Sequence, residues 1–107
     1  MIHNMSLKEK YFNLIRKGEK TIELRLFDDK RQKIQIGDKI KFMNNDDSFE
    51  VNVIGLVRAQ TFEELFNIIP VERCGFTNKE EAIQIMEQFY TKPMQMDIGV
   101  IGIVIKL

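Results

Sequence analysis

Tryptophan is absent from these 107 residues, and histidine and cysteine occur once each. A single cysteine excludes an intramolecular disulfide, and one His with one Cys cannot build a His/Cys zinc site, so neither a structural metal nor a cofactor is expected. Two prolines and six glycines are too few for a disordered or fibrous chain. The longest apolar run near a terminus, "IGVIGIVI" at 98–105, falls far short of the roughly 20 residues that span a bilayer. No membrane segment is expected. The opening "MIHNMSLKEK" also lacks the apolar stretch and small-residue cleavage site of a secretory signal, which points to a cytoplasmic location.

What is present suits one small domain over residues 1–107, with 44% hydrophobic and 30% charged residues. The formal net charge is zero, but its halves differ: residues 1–43 hold 11 Lys/Arg against 6 Asp/Glu, and the remainder holds 5 against 10. Such asymmetry is compatible with a basic surface for an anionic partner, whereas overall neutrality argues against strong non-specific nucleic-acid binding.

Along the chain, "SLKE" at 6–9 reads as a capping box, and Leu7, Tyr11, Leu14 and Ile15 recur at helical spacing up to Gly18. The spacing predicts a first helix over 7–17, preceded by a frayed terminus in which His3 is inert. From Lys20 the period becomes two: Ile22, Leu24 and Leu26 alternate with Thr21, Glu23 and Arg25, the pattern of a strand. "DDKRQKIQIGD" is a polar connection with room for a helical turn. A strand over 39–43, an Asn/Asp hairpin turn at 44–47 and a long strand with a bulge or bend at Gly55 follow. Short helices are predicted over 61–69 and 77–90, each opened by a Thr cap, with "VERCGF" as a loop between them. The apolar β-branched run at the end is a buried or barrel-closing strand. This order, α, β, β, β, α, α, β, indicates an α+β fold built as a small mixed barrel with helices against it.

"GEKTIELRL", then "IGDKIKF", the bent strand, the helical insertion and "GVIGIVI" resemble an ASCH domain, a branch of the PUA-like superfamily. Gly18, Lys20, Thr21, Glu23 and Arg25 carry the most specific part of the likeness. The resemblance implies a partly open β-barrel with flanking helices and a ligand cleft lined by Lys, Glu and Arg. It also implies RNA, or a nucleoside or nucleotide, as partner. Some small bacterial relatives resemble an amidohydrolase acting on acetylcytidine, in which a Lys, a Thr and a Glu do the chemistry. Lys20 matches that Lys. A K-x-x-T spacing counted from it lands on Glu23, so a carboxylate stands where a hydroxyl is expected, with Thr21 as a nearby substitute. Glu72, the one acidic residue of the loop between the late helices, would supply the Glu.

Periodicity alone makes Thr21, Glu23 and Arg25 a solvated strand face, and the resemblance makes the same row the wall of the cleft. Lys30 and Arg31 read first as a solvated loop and, functionally, as a basic lip holding phosphates. Tyr11, Phe27 and Tyr90 have the chemistry to stack on a base, but on apolar helix faces Tyr11 and Tyr90 are core candidates. Cys74 lacks an activating neighbour and is a packing residue. The expected function is RNA or nucleotide binding, with the hydrolase as the alternative; the oligomeric state is left open.

Overall fold

The computed structural model describes residues 1–107 and opens with a strand, not with the helix expected from the capping box. β1 (Ile2–Ser6) alternates exposed and buried residues, with His3 and Met5 facing inward. Ser6, the expected cap, is the last residue of this strand. Pairing β1 in parallel with β3 (Lys39–Asn44) and burying Met5 outweighs the local S-x-x-E signal. Nor is the terminus frayed. His3 is 7% exposed and shares a 2.8 Å hydrogen bond with Asp38 Oδ2. Asp38 also accepts from the Gln35 amide at 3.0 Å and from the Met1 ammonium at 3.3 Å. The His3 hydrogen bond first, and then that from the Gln35 amide, hold the Asp38 carboxyl down at about 2.

α1 (Glu9–Arg16) starts two residues later than predicted, has no side-chain cap at Lys8, and buries Phe12 and Ile15. It stops at Gly18, whose φ of +80° is the left-handed conformation the sequence called for. β2 (Ile22–Leu26) follows, then the short α2 (Asp29–Gln32), capped by Asp28. Asn45, at φ +54°, turns the hairpin from β3 into β4 (Asp47–Ala59). In β4 the register passes from Val53 opposite Ile105 to Gly55 opposite Val104, so Ile54 is the extra residue of the expected bulge.

Thr61 caps α3 (Phe62–Leu65) as predicted, and "VERC" forms a 3-10 turn (Val71–Cys74) rather than an open loop. α4 (Lys79–Phe89) is capped by Asn78, one residue later than the predicted Thr. The sequence reading passed over a further helix, α5 (Lys92–Ile98), which Thr91 caps and Pro93 opens. β5 (Val100–Lys106) closes the chain.

The sheet runs β1-β3-β4-β5-β2, antiparallel except for the β1/β3 pair. It curls into a half-barrel, the expected mixed, partly open architecture, and it is covered on both sides. One core gathers Ile22, Leu24 and Leu26 with Phe62, Leu65 and Phe66 beneath α3 and α4. The other gathers Met5, Phe12, Ile15, Phe42 and Ile101 beneath α1. At Gly102 an added Cβ would lie 3.2 Å from Ile22 Cγ2, so the missing side chain permits the close layering of the first core.

Side chains, rather than a backbone ladder, bridge the two edge strands. Arg25 Nη2 on β2 donates to Ser6 O on β1 at 3.0 Å, and Lys30 Nζ donates to Asn4 O at 2.6 Å. Because β1 belongs to the core, Met5→Ala should destabilise the domain by roughly 2–5 kcal/mol in urea unfolding. Ile2→Ala, at a position 54% exposed, should change stability by no more than about 0.5 kcal/mol. Equal, small effects of both would mean that β1 is dispensable.

Candidate functional site

The polar row of β2 is not solvated. Glu23 is 4% exposed and Lys20, just before the strand, is 3% exposed, because α1, α4 and the 3-10 turn close over this edge of the sheet. Lys20 Nζ lies 3.3 Å from Glu23 Oε1, and Arg25 Nε donates to Glu23 Oε2 at 2.8 Å. The carboxylate is thus held between two cations. Lys20 Nζ also donates to Cys74 O at 2.9 Å and sits 5.1 Å from the centre of the Tyr11 ring. Burial pushes the Glu23 carboxyl upward, but the charges of Lys20 and then Arg25 outweigh it, and the net effect is a pKa below the usual 4.5.

Above this triad opens a cavity of about 210 Å³. Lys20, Glu23 and Arg25 line it together with Ser6, Leu7 and Lys8 at the β1–α1 junction. Its aromatic walls are Tyr11 and Phe76 on one side, ring centres 6.3 Å apart and edge to face, with Phe89 and Tyr90 at the end of α4. Burial, and after it the charge of Glu23, raises the Tyr11 phenol above 10.0. Lys8 Nζ lies 4.6 Å over the Phe89 ring at the mouth.

Three of the six ligand-binding candidates, Lys20, Glu23 and Arg25, therefore converge on one concavity. Thr21 precedes β2 and does not line it: its hydroxyl accepts from Arg73 Nε at 2.9 Å. Lys30 reaches Asn4 O, and Arg31 Nη1 pairs with Asp28 at 3.0 Å, so both serve the β1–α2 region away from the cavity. Glu72 is exposed on the 3-10 turn and contributes nothing to the lining. Phe27 lies under Arg58, with the guanidinium 3.8 Å from the ring centre. Cys74 is buried and, mainly through that burial, its thiol is pushed up to about 11, an unreactive form.

Sequence reasoning missed Ser6, Lys8, Phe76, Met86 and Phe89. Nothing in their local pattern marks them, since the cavity joins segments from opposite ends of the chain. No group of three or more His, Cys, Asp or Glu side chains is placed to hold a metal ion. No helix is long and apolar enough to cross a membrane.

A curled half-barrel whose gap is bridged by charged side chains, with a cleft beside it, defines a PUA-like α+β domain. The family profile of the ASCH domain matches residues 5–98, and the chain belongs to that family. The crystal structure of the hypothetical protein PH0355 is 34% identical, with a TM-score of 0.90 over 99% of this chain and 98% of that one. The solution structure of protein PF0455 from Pyrococcus furiosus is 32% identical, with a TM-score of 0.79 over 99% and 96% of the two chains. An ASCH protein from Zymomonas mobilis is 12% identical and shares the fold alone, with a TM-score of 0.67 over 99% of this chain and 67% of that one. Comparison with curated proteins finds no match.

Glu23→Gln removes the anion and leaves two cations facing each other, and breaking a buried pair in this way should lower unfolding stability by roughly 3–5 kcal/mol at pH 7. Because the Glu23 pKa is depressed by folding, its contribution is complete above the ordinary value of 4.5 and is lost as pH falls below it. The gap in stability between the native protein and Glu23→Gln should therefore narrow in unfolding titrations below pH 4.5. A gap that stays constant into acid would show that the ion pair contributes no net stability.

Proposed function

We propose that this ASCH domain binds RNA, or a nucleotide-sized piece of it, by taking one nucleobase into the cavity between α1, β2 and α4. The observation that carries this reading is the combination of a buried, ionised Glu23 on the floor with four aromatic rings in the walls. A carboxylate has about four acceptor sites. Lys20 and Arg25 each occupy one oxygen of Glu23, which leaves lone pairs for the N–H edge of a base. Tyr11, Phe76, Phe89 and Tyr90 supply faces and edges for stacking, an interaction worth about 1–3 kcal/mol per base.

Size and charge support the same scale of ligand. At about 210 Å³ the cavity lies below the roughly 300–1,000 Å³ of drug-sized sites, so it suits one ring system rather than a stretch of oligonucleotide. The zero formal net charge of the chain favours local recognition over a long electrostatic footprint.

The amidohydrolase alternative has thinner support. Lys20 matches the catalytic Lys of the resemblance, but its amine is already engaged, donating to Cys74 O and ion-paired with Glu23. The carboxylate of Glu23 stands in place of a hydroxyl, the Thr21 hydroxyl is engaged by Arg73, and Glu72 is exposed outside the cavity.

Filter binding of structured RNA and modified nucleosides, at low and moderate salt, tests the proposal. Phe89→Ala, at a residue 40% exposed, should weaken binding by about tenfold or more, the equivalent of one lost stack. Arg25→Ala should weaken it further, whereas Lys79→Ala on the far part of α4 should leave it unchanged. Absence of binding at either salt concentration would remove the reading. Incubation with acetylcytidine should yield no cytidine even at high protein concentration, and its appearance would instate the hydrolase.

A further inference from the structure

The charges around the cavity do not cancel. Glu23 is the only carboxylate in the lining, against Lys8, Lys20 and Arg25. Glu23, shared between Lys20 and Arg25, offsets one of three positive charges, and the more exposed of the cations are Lys8 and Arg25. Arg25 spends Nε on Glu23 and Nη2 on Ser6 O, which leaves Nη1 without an acceptor. Lys8 Nζ has no acceptor or acidic partner either, and rests over the face of Phe89. A neutral ring alone would fill the aromatic part and leave these donors unused.

We propose that the cavity takes a nucleobase carrying a phosphate on its ribose, with the ring among Tyr11, Phe76, Phe89 and Tyr90 and the phosphate bound by Lys8 and Arg25 Nη1. This rests on the nucleobase reading above and adds a phosphate subsite, formed by Lys8 and Arg25, at the opening of the cavity. A guanidinium and an ammonium converging on one opening are suited to phosphate, the first by its planar fork and the second as a point charge. Free nucleoside monophosphates and phosphorylated RNA ends both carry this chemistry.

The chain supplies its own probe. It contains no tryptophan and two tyrosines, and both Tyr11 and Tyr90 line the cavity, so tyrosine emission reports on occupancy of this site alone. The emission, corrected for absorption by the ligand, is followed during titration with the four common nucleosides, their 5′-monophosphates, and a short oligoribonucleotide with a 5′-phosphate or a 5′-hydroxyl. At least one monophosphate, or the phosphorylated oligonucleotide, should bind about tenfold or more tightly than its unphosphorylated form, the worth of one hydrogen bond to a charged group. Response to monophosphates assigns a free nucleotide; response to the phosphorylated oligonucleotide alone assigns an RNA end.

Lys8→Gln should shrink that advantage, whereas loss of affinity for both forms in equal measure would overturn the phosphate assignment. Equal or tighter binding of the unphosphorylated forms overturns it too, while leaving the base reading in place. Tyrosine emission unmoved by every one of these ligands overturns both.

Discussion

The position of Glu23 constrains everything around it. A carboxylate 4% exposed is costly to bury unless cations compensate it, and the two that do so are themselves tied to distant backbone. Lys20 reaches the carbonyl of Cys74 and Arg25 the carbonyl of Ser6, so one negative charge fixes the β1 end, the β2 edge and the 3-10 turn relative to one another. Replacing such a triad by apolar residues is often neutral or stabilising in other proteins. Its place here is therefore better explained by geometry than by stability: it holds open a polar floor in a region that apolar packing would have closed.

The same triad explains why the barrel is left incomplete. Were β1 and β2 to pair by a continuous backbone ladder, Arg25 would lose its acceptor at Ser6 and the cavity its rim. Instead Arg25 and Lys30 satisfy the edge carbonyls Ser6 O and Asn4 O from the side. Edge strands with unpaired carbonyls invite aggregation, and covering them with cations is a known remedy. In this fold that remedy also delivers the guanidinium to the opening of the cleft.

Much of this was legible in the sequence where the signal is local. The period-two run of β2, the left-handed turn at Asn45, the bulge at Ile54–Gly55 and the Thr61 cap depend on neighbouring residues and were read correctly. The capping box at Ser6 is equally local and was read wrongly, because the parallel pairing of β1 with β3 and the burial of Met5 are long-range and outweigh it. α5 was missed although Thr91 and Pro93 announce it, since "PMQMD" has no amphipathic period to confirm the cap. The row of Thr21, Glu23 and Arg25 shows the limit most clearly. Alternation says that these residues share a side; only the layers packed over β2 decide whether that side is wet. Of the aromatic half, Tyr11 and Tyr90 were open to a stacking role as well as a core one, whereas Phe76 and Phe89 were beyond reach, because they join those rings only after folding.

The identity of residue 23 then decides which charges stand on the floor of the cleft. Without a carboxylate at this position, buried Lys20 and half-buried Arg25 would face each other with no counterion, a costly arrangement. A carboxylate removes that cost: it ion-pairs with the amine and takes up the guanidinium's Nε. Glu23 is thus a fixed acceptor flanked by two donors. Fixed charges serve recognition well, since their geometry is set before the ligand arrives and little ordering remains to be done on binding. The cavity thus sets four aromatic rings above a floor whose charges are already positioned by one another and by the backbone of Ser6 and Cys74.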